Sequence, residues 1–195
     1  LLLAIVIWFV SRFLVICKPN EIVVISGRKH KLPDGSVVGF KVLHGGRGVR
    51  IPMLEEVNRM DMRLIPVQVE VQNAYSRGGI PLMVHAIANV KVSSDPGFVR
   101  NAIERSLSMT PRQIASIAQQ TLEGLLREVV AELTPEEVNE DRLKFAQTLI
   151  RNAKDDFDKL GLELDVLKIQ SVSDEANYLS SLGRARIARM IRATA

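Results

Sequence analysis

Cysteine occurs once, at position 17, and histidine three times, scattered at 30, 44 and 85. A lone thiol excludes a disulfide framework, and the histidines share no ligand spacing that would make a zinc cluster. Aromatic residues are 5% of the chain, too thin for a base-stacking platform. No P-loop, G-x-S-x-G, C-x-x-C, H-E-x-x-H or G-x-G-x-x-G pattern occurs, and no N-x-Ser/Thr sequon. The common signatures of phosphate, nucleophile, redox and zinc chemistry are therefore missing. His44-Gly45-Gly46 resembles the start of a lipase oxyanion loop, but without a nucleophile elbow it reads as a glycine turn.

What is present is ordinary globular matter. The 195 residues are 47% hydrophobic and 25% charged, which excludes wholesale disorder and suits one domain or two small ones. The net charge of +4 is unevenly placed. Residues 1–60 hold nine Lys/Arg against four Asp/Glu, residues 61–183 thirteen against eighteen, and residues 184–195 four Arg and no acid. A nucleic-acid module would carry a basic face through its fold, so nucleic acid is not an expected partner. Basic ends beside an apolar segment point to an anionic membrane surface.

That apolar segment is the first ten residues, LLLAIVIWFV. A spanning helix needs about 20 apolar residues, so the stretch reads as the second half of an anchor whose beginning lies upstream. Leu1, Leu2, Leu3, Ile5, Val6, Ile7, Phe9 and Val10 would sit in lipid, with Trp8 in the interfacial belt. Apolar Phe13–Cys17 extends it beyond Arg12, giving an anchor region of residues 1–17. A true span and a shallow interfacial insertion both remain open. The cations that follow, Arg12, Lys18, Arg28, Lys29 and Lys31, are candidate headgroup contacts. By the positive-inside rule they place the globular part in the cytoplasm, at the cell membrane. The Arg28–Lys31 run also reads as a solvated turn. Cys17 reads either as an inert half-buried thiol or as a juxtamembrane acylation site.

Further along, the period is two. Val67, Val69 and Val71 alternate with polar residues, as do Leu82 to Val92, and Ser76-Arg77-Gly78-Gly79 between them is turn chemistry. This predicts a long antiparallel hairpin. Ile22–Ile25 reads as a short buried strand, and Val37–Leu43 and Val49–Ile51 as strands flanking the glycines at 45, 46 and 48.

The period then becomes helical. Asp95-Pro96, Thr110-Pro111 and Thr134-Pro135 each put a capping side chain before a first-turn proline. Gln113 and Glu137 complete capping boxes. One helix is expected from Thr134 to a stop at Gly161, then a strand over 162–172. A terminal helix follows, capped by Ser173 or Asp174, with Leu179, Leu182, Ala185, Ala188 and Ile191 on one face. Glu136, Glu137, Glu140 and Asp141 are explained by the helix dipole rather than by catalysis. Asp155, Asp156 and Asp158 form a solvated helix face. The fold class is α+β, with an antiparallel or mixed sheet packed by helices.

Several blocks carry a resemblance. They are Pro19-Asn20-Glu21 before Ile22–Gly27; Gly45-Gly46 followed by Pro52 and Glu55; Gly79-Ile80-Pro81-Leu82; Gln120 to Arg127; Leu133-Thr134 through Asn139-Glu140-Asp141-Arg142; Lys144-Phe145-Ala146; and Leu182-Gly183 before Arg186-Ile187-Ala188. In this order the chain resembles flotillin-type members of the SPFH superfamily (stomatin, prohibitin, flotillin, HflK and HflC). Arg47 stands where a third glycine is common, and Ala185 where a proline is common.

The resemblance implies an anchor in 1–17, a membrane-proximal subdomain in 18–75 and a second subdomain in 76–173. From 174–195 it implies the start of a long coiled coil. It implies no enzyme activity and no cofactor or metal. Its partners are membrane lipid, many copies of the same chain, and other membrane proteins. The implied function is a scaffold that assembles into a large ring or cage and organises membrane microdomains; the alternative is a regulator that confines or inhibits a membrane protease. On the scaffold reading the helices carry the inter-subunit contacts, at Gln120, Glu123, Arg127, Glu140, Arg142 and Arg186.

Overall fold

The computed structural model describes residues 12–31, 37–174 and 177–194. Leu1–Val10, the expected anchor, lies outside the described residues. Two three-stranded antiparallel sheets are built in sequence order, with helices inserted between the second and third strands of the second sheet.

The first sheet has the order β2-β1-β3, formed by β1 (Leu14–Lys31), β2 (Val37–Val49) and β3 (Glu56–Asp61). Ile22–Ile25 is thus the centre of an 18-residue strand rather than a short one. Phe13–Cys17 does not simply extend an anchor, since Leu14–Cys17 is strand. Alternation explains this: Val15 and Cys17 are buried while Leu14 and Ile16 are exposed, the pattern of a half-buried strand. The two short segments expected around the glycines are one continuous strand, β2, which ends before Ile51. Gly45 and Gly46 are accommodated inside it at positive φ.

β1 bends sharply. Pairing with β2 shifts register between Cys17 and Ile22, so four β1 residues, 18–21, oppose one on β2, Gly45. The leg Leu14–Cys17 folds back, and Val15 and Cys17 pack on Val23 and Ile25 with Leu43 and Val57. This small cluster covers one face of the sheet. The opposite face, Ile22, Val24 and Met60, joins the main core.

The second sheet has the order β4-β5-β6, from β4 (Ile65–Tyr75), β5 (Pro81–Val92) and β6 (Leu162–Asp174). The expected hairpin is present, with Val67, Val69 and Val71 facing Ala88, Ala86 and Val84. Its turn is closed by the Ser76 N–H donating to the Ile80 carbonyl at 2.9 Å. β5 is buried at every second residue along its length.

Helices α1 (Pro96–Ser106), α2 (Pro111–Glu132), α3 (Pro135–Glu140) and α4 (Arg142–Leu160) complete the core. Both capping boxes form. The single helix expected after Thr134 is two, because Asp141 leaves the helical region at φ −114° and ψ 62°. Its side chain accepts the Lys144 N–H at 3.1 Å, a local bond that competes with helix continuation. Gly161 ends α4 at φ +70°, where an added Cβ would sit 2.1 Å from the Ala102 nitrogen, so α1 can approach only a glycine. α5 (Tyr178–Thr194) leaves the body beside α3.

The two sheets share one hydrophobic core running from Ile22 and Met60 through β4, β5 and α2 to Phe157. β4 belongs to the second sheet, so the boundary between sheets lies at residues 62–64. Among the described residues no helix is long and apolar enough to cross a membrane.

Candidate membrane-facing site

The leg Leu14–Cys17 presents Leu14 and Ile16 outward, and Val49 pairs opposite Leu14, all exposed. The chain then enters the Ile51–Glu55 turn. Ile51, Met53 and Leu54 are solvent-exposed, Met53 completely. Elsewhere on this sheet the large side chains of Ile22, Val24 and Ile25 are fully buried. Six exposed apolar residues at one end of a sheet are therefore a surface feature in need of a partner.

The turn is built from within. The Leu54 and Glu55 N–H groups donate to the Ile51 carbonyl at 3.3 and 3.0 Å. The Ile51 N–H donates to Glu55 Oε2 at 2.8 Å. Met53 has φ +76°; an unbranched hydrophobe gains nothing there, unlike Asn73 and Asn177, whose amide side chains tolerate positive φ. Cations flank the turn. Arg50 donates its N–H to the Phe13 carbonyl at 2.9 Å and its Nε to the Arg12 carbonyl at 3.4 Å. Arg28 and Lys29 follow Gly27, on which the turn rests, and both are exposed.

The bend in β1 that presents this end is held by charge. The Lys18 N–H donates to Glu21 Oε1 at 3.0 Å, and Arg59 bonds to the same oxygen while donating to the Ile16 carbonyl at 3.1 Å. The Lys18 N–H, followed by Arg59, holds the Glu21 carboxyl below its ordinary range. Arg63 does the same for Asp61 at the exit of β3, chiefly through side-chain hydrogen bonds. Cys17 is buried at the bend. Its sulfur lies 3.2 Å from the Glu21 carbonyl and 3.3 Å from the Leu43 carbonyl, and accepts the Gly45 N–H at 3.2 Å. Of the two readings of Cys17, the packed thiol is the one its surroundings match; acylation of this sulfur would require the bend to open.

The other sequence-derived candidates fall in three places. Arg12 is exposed just before β1, Lys18, Arg28 and Lys29 are exposed along it, and Lys31 ends β1 opposite Val37. The Arg28–Lys31 run is strand, not turn. Gln120 and Arg127 are exposed on one face of α2, with half-buried Glu123 between them accepting from Gln119 at 2.9 Å. Glu140 and Arg142 are exposed at the α3–α4 corner, where Arg142 donates to the Gln170 carbonyl of β6 at 2.9 Å. Arg186 lies in α5. The structure places Arg12, Arg28 and Lys29 at the Ile51–Glu55 end of the first sheet, Lys18 at the bend and Lys31 at the end of β1, and leaves the helical candidates on other surfaces. Ile51, Met53 and Leu54 were missed by the sequence reading. The signal was there: Ile51-Pro52-Met53-Leu54 is a turn with no polar side chain. Among the described residues no three His, Cys, Asp or Glu are grouped to hold a metal.

An α+β body with two small antiparallel sheets and an apolar, arginine-rimmed end is what the residues define. The family model "SPFH domain / Band 7 family" matches residues 15–195, and the chain belongs to that family. Within it the chain is flotillin-like. Flotillin-1 of Homo sapiens is 31% identical over 175 residues, 89% of this chain and 39% of the relative. Flotillin-1 of Mus musculus matches equally, and that of Carassius auratus is 30% identical over 89% of this chain and 40% of the relative. The chain therefore spans about two fifths of the length of the curated relatives it matches.

Proposed function

We propose that this chain is the membrane-proximal part of an oligomeric scaffold that rests on a bilayer through the end of its first sheet and organises membrane microdomains. Leu1–Val10 is its anchor and the globular part faces the cytoplasm. The family supports the scaffold reading at a coarse level; the observation that carries the membrane contact is the exposed Ile51–Leu54 turn with Arg12, Arg50, Arg28 and Lys29 beside it. Of the two subdomains expected at 18–75 and 76–173, the first meets lipid through β1–β3 and the second meets neighbouring copies; β4 pairs into the second sheet, so the division between them falls at residues 62–64. Gln120, Glu123, Arg127, Glu140, Arg142 and Arg186 are the proposed interface positions. α5 continues toward a coiled coil.

Magnitudes favour assembly. Burying three apolar side chains at the interface supplies roughly 4–6 kcal/mol, which alone corresponds to dissociation constants between about a millimolar and tens of micromolar. Each nearby cation adds about 1 kcal/mol on an anionic surface. A single copy without its anchor would come off. Head-to-tail contacts closing a ring multiply this weak contact by avidity.

The test is flotation with anionic vesicles, with mass photometry of the same sample. Met53→Asp with Leu54→Asp is expected to reduce binding at all salt concentrations. Replacing Arg28, Lys29 and Lys31 by Glu is expected to reduce it at low salt; unchanged low-salt binding would remove the electrostatic share of the account.

A further inference from the structure

β1 runs directly beneath the Ile51–Glu55 turn, and Gly27 is the crossing point. Its φ is +123°, and a Cβ there would stand 2.3 Å from the Leu54 carbonyl oxygen and 3.3 Å from the Glu55 Cα. Conformation and space thus separately demand glycine. The obstacle is backbone, so no side-chain rotation relieves it. The turn itself is complete without lipid. Its three internal bonds join Ile51 to Leu54 and Glu55, and Met53 is already held at φ +76° with its side chain outward.

We propose that Gly27 is the positioning residue of a preformed wedge, Ile51–Leu54, which enters a bilayer as a rigid body instead of folding on contact. This rests on the membrane reading above and refines it by naming the ligand: acyl chains exposed between headgroups, with phosphates reached by the flanking arginines. A rigid wedge has its ordering cost met during folding, so binding energy is not spent on shaping the turn. Its depth is then set by the seat, and a seat that is raised lifts the wedge out.

Met53→Cys, labelled with an environment-sensitive nitrobenzoxadiazole group, reports depth through quenching by spin-labelled lipids; buried Cys17 stays unlabelled in the folded chain. The vesicles are phosphatidylcholine with phosphatidylserine. In this background Gly27→Ala is expected to weaken partitioning about tenfold and to move the bound label toward the headgroups, with secondary structure retained. Glu55→Ala, which removes the acceptor for Ile51 without touching β1, is expected to act in the same direction, and decides the matter if Gly27→Ala does not fold. Gly39→Ala, where an added Cβ meets nothing, is the control and should leave depth unchanged. Wild-type depth and affinity in folded Gly27→Ala and Glu55→Ala, with Met53→Asp/Leu54→Asp still detaching, would overturn the rigid seat alone. If Met53→Asp/Leu54→Asp binds as wild type, the membrane reading itself fails.

Discussion

The Tyr178 hydroxyl donates to Glu136 Oε1 at 2.8 Å, joining the first residue of α5 to the first turn of α3. Asp174 adds a cap, accepting the N–H groups of Tyr178 and, at 3.3 Å, Leu179. Together they fix the direction in which α5 leaves the body, hence the direction of whatever continues from it.

The bond to Glu136 raises the Tyr178 pKa above its ordinary value near 10. A raised folded value means a contribution that is complete below the unfolded pKa and lost as pH rises through the folded one. Phenolate absorbance of Tyr178 should therefore appear only above the ordinary tyrosine range. Glu136→Gln should bring it back down, and Tyr178→Phe should speed amide exchange in the first turn of α5. A Tyr178 titration unaffected by Glu136→Gln would contradict the tie.

On the acid side the sign reverses. The Glu21 carboxyl is held below its ordinary value, first by the Lys18 N–H and then by Arg59. Its contribution is present above the unfolded pKa and is lost as pH falls through the lowered folded one. Acid should open the bend of β1, and Glu21→Gln should flatten that part of the acid transition. Reaction of Cys17 with a dipyridyl disulfide, which still reacts with thiols in acid, measured against the denatured chain at each pH, reads the opening.

At neutral pH Cys17, 4% exposed, should react with thiol reagents no faster than the bend opens. Full reactivity should come only with denaturant. Rapid labelling of the native chain would show that the bend is not the packed element described.

Met53→Gly should separate stability from function. Relieving an unbranched side chain at positive φ is worth about 1 kcal/mol, so the thermal midpoint should rise. Vesicle binding should fall, because the most exposed apolar group is gone. A variant that loses both, or gains both, would deny that the strain is retained for contact.

Ile22, Val24 and Met60 of the first sheet lie in the same core as β4, β5 and α2. The two sheets should therefore melt in one transition, and Met60→Ala should cost about 2–4 kcal/mol in that transition. Two resolved calorimetric peaks would contradict the shared core.

Much of this architecture is legible in the sequence because its signals are local. Thr110 with Gln113 and Thr134 with Glu137 sit within one helical turn of each other. The alternation of β4 and β5 needs no knowledge of distant residues. What escaped depends on contacts between distant residues or on competition at one residue. β3 has no apolar alternation and exists because Val23 and Ile25 offer a hydrogen-bonding edge opposite Arg59 and Val57. The break at Asp141 follows from a side chain bonding to Lys144 inside an otherwise helical pattern. The cations were visible as a list in sequence. The placing of Arg12, Arg28 and Lys29 beside Ile51–Leu54 comes from the fold-back of Leu14–Cys17 and from Gly27, neither of which has a periodic signature.

The most direct measurement is electron cryomicroscopy of the protein extracted with its native membrane, with mass photometry on the same preparation. The expected result is a large closed assembly with Met53 and Leu54 in lipid density and α5 helices directed away from the bilayer. A monomer or dimer that salt releases from the membrane, or an assembly whose Ile51–Leu54 turn points into solvent, would contradict it.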